Sequence, residues 1–125
     1  MTRAERRSVE DVLLNLRRQG VRVHWLPSLV RRINLILDFM AFIDLRRLMI
    51  REKPEIVHTH TSKAGIIGRW AAWSAGVPQI VHTPHGHVFY GHFDPIRANI
   101  FALVERLTGT ITDHFIALTR AEAED

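Results

Sequence analysis

The sequence predicts an α/β protein, an open sheet of parallel strands with helices on both faces. Three observations carry this prediction. Short apolar runs of strand length alternate with longer segments of helical period. Proline and glycine mark most of the boundaries between them. Polar residues collect just after the strands, where open parallel sheets bind ligands.

Each element has its own signal. Ser8-Val9-Glu10-Asp11 reads as an N-terminal cap, with Val9, Val12, Leu13 and Leu16 at helical spacing and Gly20 as the stop. Val21 to Trp25 alternates like a short strand and is closed by Pro27. A long helix is expected from about Leu29 to Arg51, ended by Pro54. Glu55 to Thr59 is an apolar-centred strand, and Lys63 to Ala75 an Ala- and Gly-rich helix stopped by Gly76-Val77-Pro78. Gln79 to Thr83 is a strand, followed by a loop from Pro84 to Pro95. Asp94-Pro95 opens a helix carrying Ile96, Ile100, Phe101, Leu103, Val104 and Leu107. His114 to Leu118 is the last strand, and Thr119 to Asp125 begins another helix.

Composition narrows the function classes. The chain has 125 residues, enough for one domain, and its 46% hydrophobic and 24% charged residues exclude a disordered or low-complexity chain. The absence of cysteine removes disulfide scaffolds, thiolate metal sites and cysteine nucleophiles. The basic N-terminus runs into further charge rather than an apolar signal core, and no apolar run reaches the roughly 18 residues of a membrane span. The net charge of +4 comes almost entirely from arginine and admits anionic partners, although a solvated basic surface explains it equally.

The histidines are more informative. Five of the eight, His58, His60, His82, His85 and His87, fall at the ends of two predicted strands, in His58-Thr59-His60-Thr61 and His82-Thr83-Pro84-His85-Gly86-His87. A third strand ends at Thr119-Arg120. An H-x-H pair at a strand end can ligate zinc. A hydrolytic zinc site would want a further His or Asp; Lys63 follows instead and no H-x-x-x-H helix occurs, although His82, His85 and His87 could complete a set in space. Thr61-Ser62-Lys63-Ala64-Gly65 opens a helix directly after a strand, where free N–H groups and a lysine favour a phosphate; simple capping by Ser62 is the plainer reading.

The run from Lys53 to Phe89 resembles the N-terminal domain of family-4 retaining glycosyltransferases of the GT-B fold, in the bacterial branch that builds capsule, exopolysaccharide and lipid-linked glycans. Pro54-Glu55-Ile56-Val57-His58-Thr59-His60, Lys63-Ala64-Gly65, Gly68-Arg69, Gly76-Val77-Pro78 and His82 to Phe89 carry the resemblance. Glu105-Arg106, Thr112-Asp113 and Ala117 to Glu122 extend it over roughly residues 20–125. The first strand of that fold, its glycine-rich loop and the donor-binding C-terminal domain have no counterpart here. The expectation is therefore a partial, acceptor-side domain over residues 1–125, with a Rossmann-like sheet, inactive alone.

The resemblance implies sugar transfer with retention from a nucleotide-sugar to a lipid-linked or polysaccharide acceptor. The nucleotide-sugar is a substrate, and neither a cofactor nor a metal is implied. It places His85 in the cleft as the catalytic candidate, where an imidazole can position a hydroxyl or stabilise developing charge. Gly86 would let backbone approach the ligand, with His58, His60, Thr61, Lys63, Thr119 and Glu122 lining the acceptor side. The helix near residues 29–51, apolar at its centre and flanked by Arg31, Arg32, Arg46, Arg47 and Arg51, suits a membrane interface as well as a buried position. The expected location is cytoplasmic, with peripheral contact on the inner face of the plasma membrane. Two rivals remain open at this stage: a metal-dependent hydrolase built on the histidines, and a non-catalytic basic module for anionic lipid or nucleic acid. The sequence offers no stacking platform or docking motif for nucleic acid.

Overall fold

The computed structural model describes residues 2–30, 32–84 and 95–117. Helix α1 spans Arg3–Arg18, α2 Leu35–Glu52, α3 Lys63–Ser74 and α4 Pro95–Gly109; the strands are β1 Ile56–His60, β2 Gln79–Thr83 and β3 His114–Phe115. The three strands form one parallel sheet in the order β1-β2-β3, with Thr59 beside His82 and His82 beside Phe115. The α/β, Rossmann-like class is therefore the observed one.

Local chemistry explains the element ends, and several differ from expectation. α1 starts at Thr2, not Ser8: Glu5 N–H donates to Thr2 Oγ1 (3.1 Å) and Thr2 N–H donates to Glu5 Oε2 (2.7 Å). This capping box satisfies two otherwise orphaned donors and carries the helix through the charged Arg3–Arg7 stretch. At the other end, Val21 N–H reaches Leu16 O and Gly20 N–H reaches Arg17 O, closing the helix at the expected glycine. α2 begins only at Leu35, because Asn34 Oδ1 accepts from Ile36 and Leu37 N–H, both at 3.1 Å. Residues 29, 30 and 32–34 are not helical, although the apolar pattern continues through them.

The expected strand at Val21–Trp25 does not form. Alternation selects a face, but a strand also needs a partner edge. This segment runs instead past the end of α2, where Arg22 Nη2 pairs with Glu52 Oε2 at 2.9 Å, and Trp25 is left 70% exposed. β1 sits one residue later than expected, and β2 has the expected bounds.

α3 lies on the sheet face that carries Val57, Thr59, Ile80 and His82, with α2 and α4 packed against it. The core is Met49, Ala71, Ala72 and Ile80, flanked by Phe42, Leu45, Val57, Ala75 and Val77. Small residues let α3 approach closely. A Cβ at Gly68 would stand 2.9 Å from Thr59 Cγ2, and one at Gly65 would stand 2.4 Å from His82 Cε1. The other sheet face carries Ile56, His58, His60 and His114, all exposed.

Candidate functional site

The carboxyl edge of β1 and β2 separates the histidines by face. In a strand, alternate residues point to opposite sides. Thr59 and His82 turn towards α3: Thr59 Oγ1 and His82 Nδ1 lie 2.8 Å apart, and His82 is 2% exposed with its ring perpendicular to that of Phe115. His82 is thus an interior, structural histidine. His58 and His60 point the other way, side by side, with ring centroids 4.3 Å apart. His58 Nε2 lies 2.7 Å from Thr83 Oγ1, which links the pair to the neighbouring strand. Two exposed imidazoles and a threonine hydroxyl at one sheet edge can donate and accept hydrogen bonds in the pattern that sugar hydroxyls require.

Thr61 follows at the turn into α3 with φ of +67°, in the left-handed region that β-branched residues rarely occupy. Such backbone costs on the order of 1–3 kcal/mol and persists only where surrounding structure holds it. It turns the chain sharply from β1 into α3. Ser62 does not cap that helix: its backbone is already helical (φ −76°, ψ −64°), and its hydroxyl makes no cap hydrogen bond. Ser62 is therefore not the cap that its position in the sequence suggests.

Lys63 is engaged with the loop before α2 and the first turn of that helix. Its ammonium donates to Val30 O (2.6 Å) and Arg32 O (2.5 Å) and pairs with Asp38 Oδ1 at 2.5 Å, both side chains under one-fifth exposed. Two donors are bound to carbonyls and the charge is paired with Asp38, so Lys63 fastens the loop before α2 to the carboxyl edge. Replacing Lys63 with Met should cost about 2 kcal/mol, since hydrogen bonds to charged groups are worth roughly 1.5–3 kcal/mol each and part is recovered by hydration. Tryptic cleavage after Arg32 should accelerate in that variant. An unchanged cleavage rate would mean that the loop is held by something else.

Sequence reasoning missed a second polar assembly, which ties α3 to α4 and β3. Arg69 is fully buried. It donates from Nε to Gly65 O (2.9 Å), from Nη1 to Thr112 Oγ1 (3.2 Å) and from Nη2 to Glu105 Oε2 (3.0 Å), and its guanidinium carbon lies 5.8 Å from the Phe115 ring centroid. Burial lowers its pKa from the ordinary arginine value, while the charge of Glu105 and its hydrogen bond oppose that shift. Trp70 Nε1 donates to Thr108 Oγ1, and Asp113 Oδ2 accepts from Ile80 N–H at 2.7 Å, locking the turn before β3 onto β2. The signal was available, because Gly68-Arg69, Glu105-Arg106 and Thr112-Asp113 are pieces of the resemblance. These motif residues hold the architecture together.

His85, Gly86, Thr119 and Glu122 lie outside the described residues, as do Leu118 and the expected helix from Thr119 to Asp125. Among the described residues, no three His, Asp or Glu side chains gather in an arrangement able to hold a metal ion. Two shallow grooves, lined by Met49, Lys53, Pro54 and Val77 and by Arg22, His24 and Glu52, lie towards the opposite end of the sheet.

Comparison with known proteins agrees with this framework. The model of the glycosyl transferase 4-like domain matches residues 1–125. The chain belongs to that family. It is also 54% identical over 70 residues to the UDP-Gal:alpha-D-GlcNAc-diphosphoundecaprenol alpha-1,3-galactosyltransferase of Escherichia coli. The match covers 56% of the chain and 18% of that relative's length. No solved structure matches. A glycosyl transferase 4-like domain is thus built here on a parallel sheet whose carboxyl edge presents His58 and His60. Among the described residues, no helix is long and apolar enough to cross a membrane.

Proposed function

We propose that this domain forms the acceptor side of a sugar-transferring enzyme of the GT-B architecture. In this reading the whole enzyme moves a glycosyl group, with retention, from a nucleotide-sugar to a lipid-linked glycan acceptor in cell-surface polysaccharide or glycolipid assembly. Another domain would hold the nucleotide-sugar, so residues 1–125 alone would bind acceptor without turnover. The observation that carries the reading is the exposed His58–His60 pair, joined to Thr83, at the carboxyl edge of the sheet in a glycosyl transferase 4-like domain. The Escherichia coli relative, named for a lipid-diphosphate-linked GlcNAc acceptor, supports the acceptor class.

In the proposed cleft, His58 and His60 receive the acceptor sugar, and Thr61 sets the sharp turn beside it. Lys63 acts by positioning: it holds the loop before α2 against this edge. His85 is the proposed catalytic group, with Gly86, Thr119 and Glu122 completing the cleft.

Titrating the chain with a short-chain prenyl-diphosphate GlcNAc should shift the imidazole NMR signals of His58 and His60 before those of the buried His82. His60→Ala should weaken binding about tenfold, the loss of one or two hydrogen bonds to a sugar. Binding of the nucleotide-sugar in place of the acceptor, or unmoved His58 and His60 signals, would overturn the reading.

A further inference from the structure

α4 is apolar on the side that the fold leaves in solvent. Ile96 is 72% exposed, Ile100 56%, Leu103 54% and Leu107 52%. They follow one another at spacings of four, three and four residues, so they form one stripe about 17 Å long. The opposite side of the helix faces the protein. There Thr108 is buried and accepts from Trp70 Nε1, and Glu105 pairs with Arg69. A surface helix ordinarily shows the reverse, apolar towards the core and charged towards water. Apolar residues at heptad spacing are the seam on which a second helix packs.

The flanks of the stripe suit a second copy of the same helix, run in the reverse direction. In an antiparallel pair Ile100 stacks on Leu103 of the second copy, and Ile96 on Leu107. Positions 99 and 106 then meet along one flank, and positions 97 and 104 along the other. Arg106 therefore faces Asn99, whose side-chain carbonyl can accept from the guanidinium. Arg97 lays its aliphatic stem along Val104. The only acid of α4, Glu105, is turned inward, and no arginine faces an arginine. A parallel pair would set Asn99 against Val104 instead and give Arg106 no such acceptor. Opposed helix dipoles add to the antiparallel preference.

We propose that α4 is a two-fold contact between two copies of this chain, with the stripe from Ile96 to Leu107 packed antiparallel on itself. Such a contact uses the same surface twice and closes at two subunits. Two stripes with their flanks would bury roughly 1,000 Å², the low end of specific interfaces, so a dissociation constant on the order of 10 μM is expected. α4 joins β2 to the parallel β3, so it runs from the carboxyl edge of the sheet to the amino edge. The antiparallel pair therefore points the two carboxyl edges in opposite directions, and neither subunit covers the other's His58 and His60.

Sedimentation equilibrium of the chain should show a monomer–dimer equilibrium near that constant. Leu103→Glu should weaken it about tenfold or more, with circular dichroism unchanged because the side chain is exposed. Leu35→Asp, at an exposed apolar position of α2, should leave it unchanged. Asn99→Glu should tighten it about threefold, by setting a carboxylate opposite Arg106 of the second copy. The chain has no cysteine, so cross-linking can read the orientation. A mixture of Ile100→Cys and Leu103→Cys chains should oxidise to the mixed disulfide dimer, while neither variant alone should cross-link. Cross-linking of either variant with itself overturns the antiparallel seam. A chain still monomeric at roughly ten times the expected constant overturns the proposal. So does a dimer that Leu103→Glu leaves intact, or a monomer that gathers on lipid vesicles through this stripe.

Discussion

Replacing Arg69 with alanine is expected to lower stability by about 3 kcal/mol, seen as a shift in the urea midpoint at constant slope. The guanidinium is fully buried and joins α3 to Glu105 on α4 and Thr112 before β3 at once. Breaking a buried pair by removing one partner typically costs about 3–5 kcal/mol. The lower end applies because Glu105 is 28% exposed and regains water when its partner is lost. Thr112 Oγ1 also keeps its bond to Thr108 O at 2.8 Å. Lysine should recover little, since one ammonium cannot reproduce three donations in fixed directions. Glu105→Gln should also be costly, for the opposite reason: it leaves a desolvated guanidinium without its countercharge. A double-mutant cycle between the two positions should give a coupling above about 1 kcal/mol. A loss below about 1 kcal/mol for Arg69→Ala would show that the brace is not what holds α4 and β3 to the sheet.

That brace also marks the limit of what the sequence discloses. The strand-length run at Gln79–Thr83 was legible to the residue, because β-branched and apolar residues sit between Pro78 and Pro84. The carboxyl-edge rule located His58 and His60 from the sequence, whereas only the structure shows that His82 turns to the interior. Alternation at Val21–Trp25 misled, since a period of two specifies faces but supplies no neighbouring strand. The start of α2 misled because the apolar pattern from Leu29 onward masks Asn34, whose side chain ends the non-helical segment by capping the next turn. The engagement of Lys63 could not be read from sequence. Its partners Val30, Arg32 and Asp38 lie 25 to 33 residues away, and nothing local distinguishes a lysine awaiting a phosphate from one already paired. Arg69, Glu105 and Thr112 were visible as motif pieces, but only the fold shows that they meet.

Gly65→Ala should produce the second large effect, a net loss of about 2–3 kcal/mol in thermal or urea unfolding. Alanine ordinarily gains up to about 1 kcal/mol over glycine in a helix. Here its Cβ would stand 2.4 Å from His82 Cε1 and 2.9 Å from Nδ1. The ring cannot simply swing aside, because Nδ1 is held 2.8 Å from Thr59 Oγ1 and the perpendicular ring of Phe115 stands 6.0 Å away between centroids. Either the Thr59–His82 bond breaks or α3 lifts from the sheet. The diagnostic is a change of sign. In a His82→Ala background the obstruction is gone, so Gly65→Ala should become neutral or stabilising by up to about 1 kcal/mol. A loss that persists there would place the cause elsewhere, in helix packing against α2 or α4. Gly76→Ala provides a contrast: nothing lies within 4 Å, but φ is +79°, so its cost of about 1 kcal/mol should not depend on His82. The Gly65 contact matters beyond stability because Thr59 stands between His58 and His60 on β1. Any lift of α3 that pulls Thr59 from register also moves the two exposed imidazoles on the opposite face. Gly65→Ala should therefore disturb the NMR signals of His58 and His60, although both lie on the sheet face opposite Thr59.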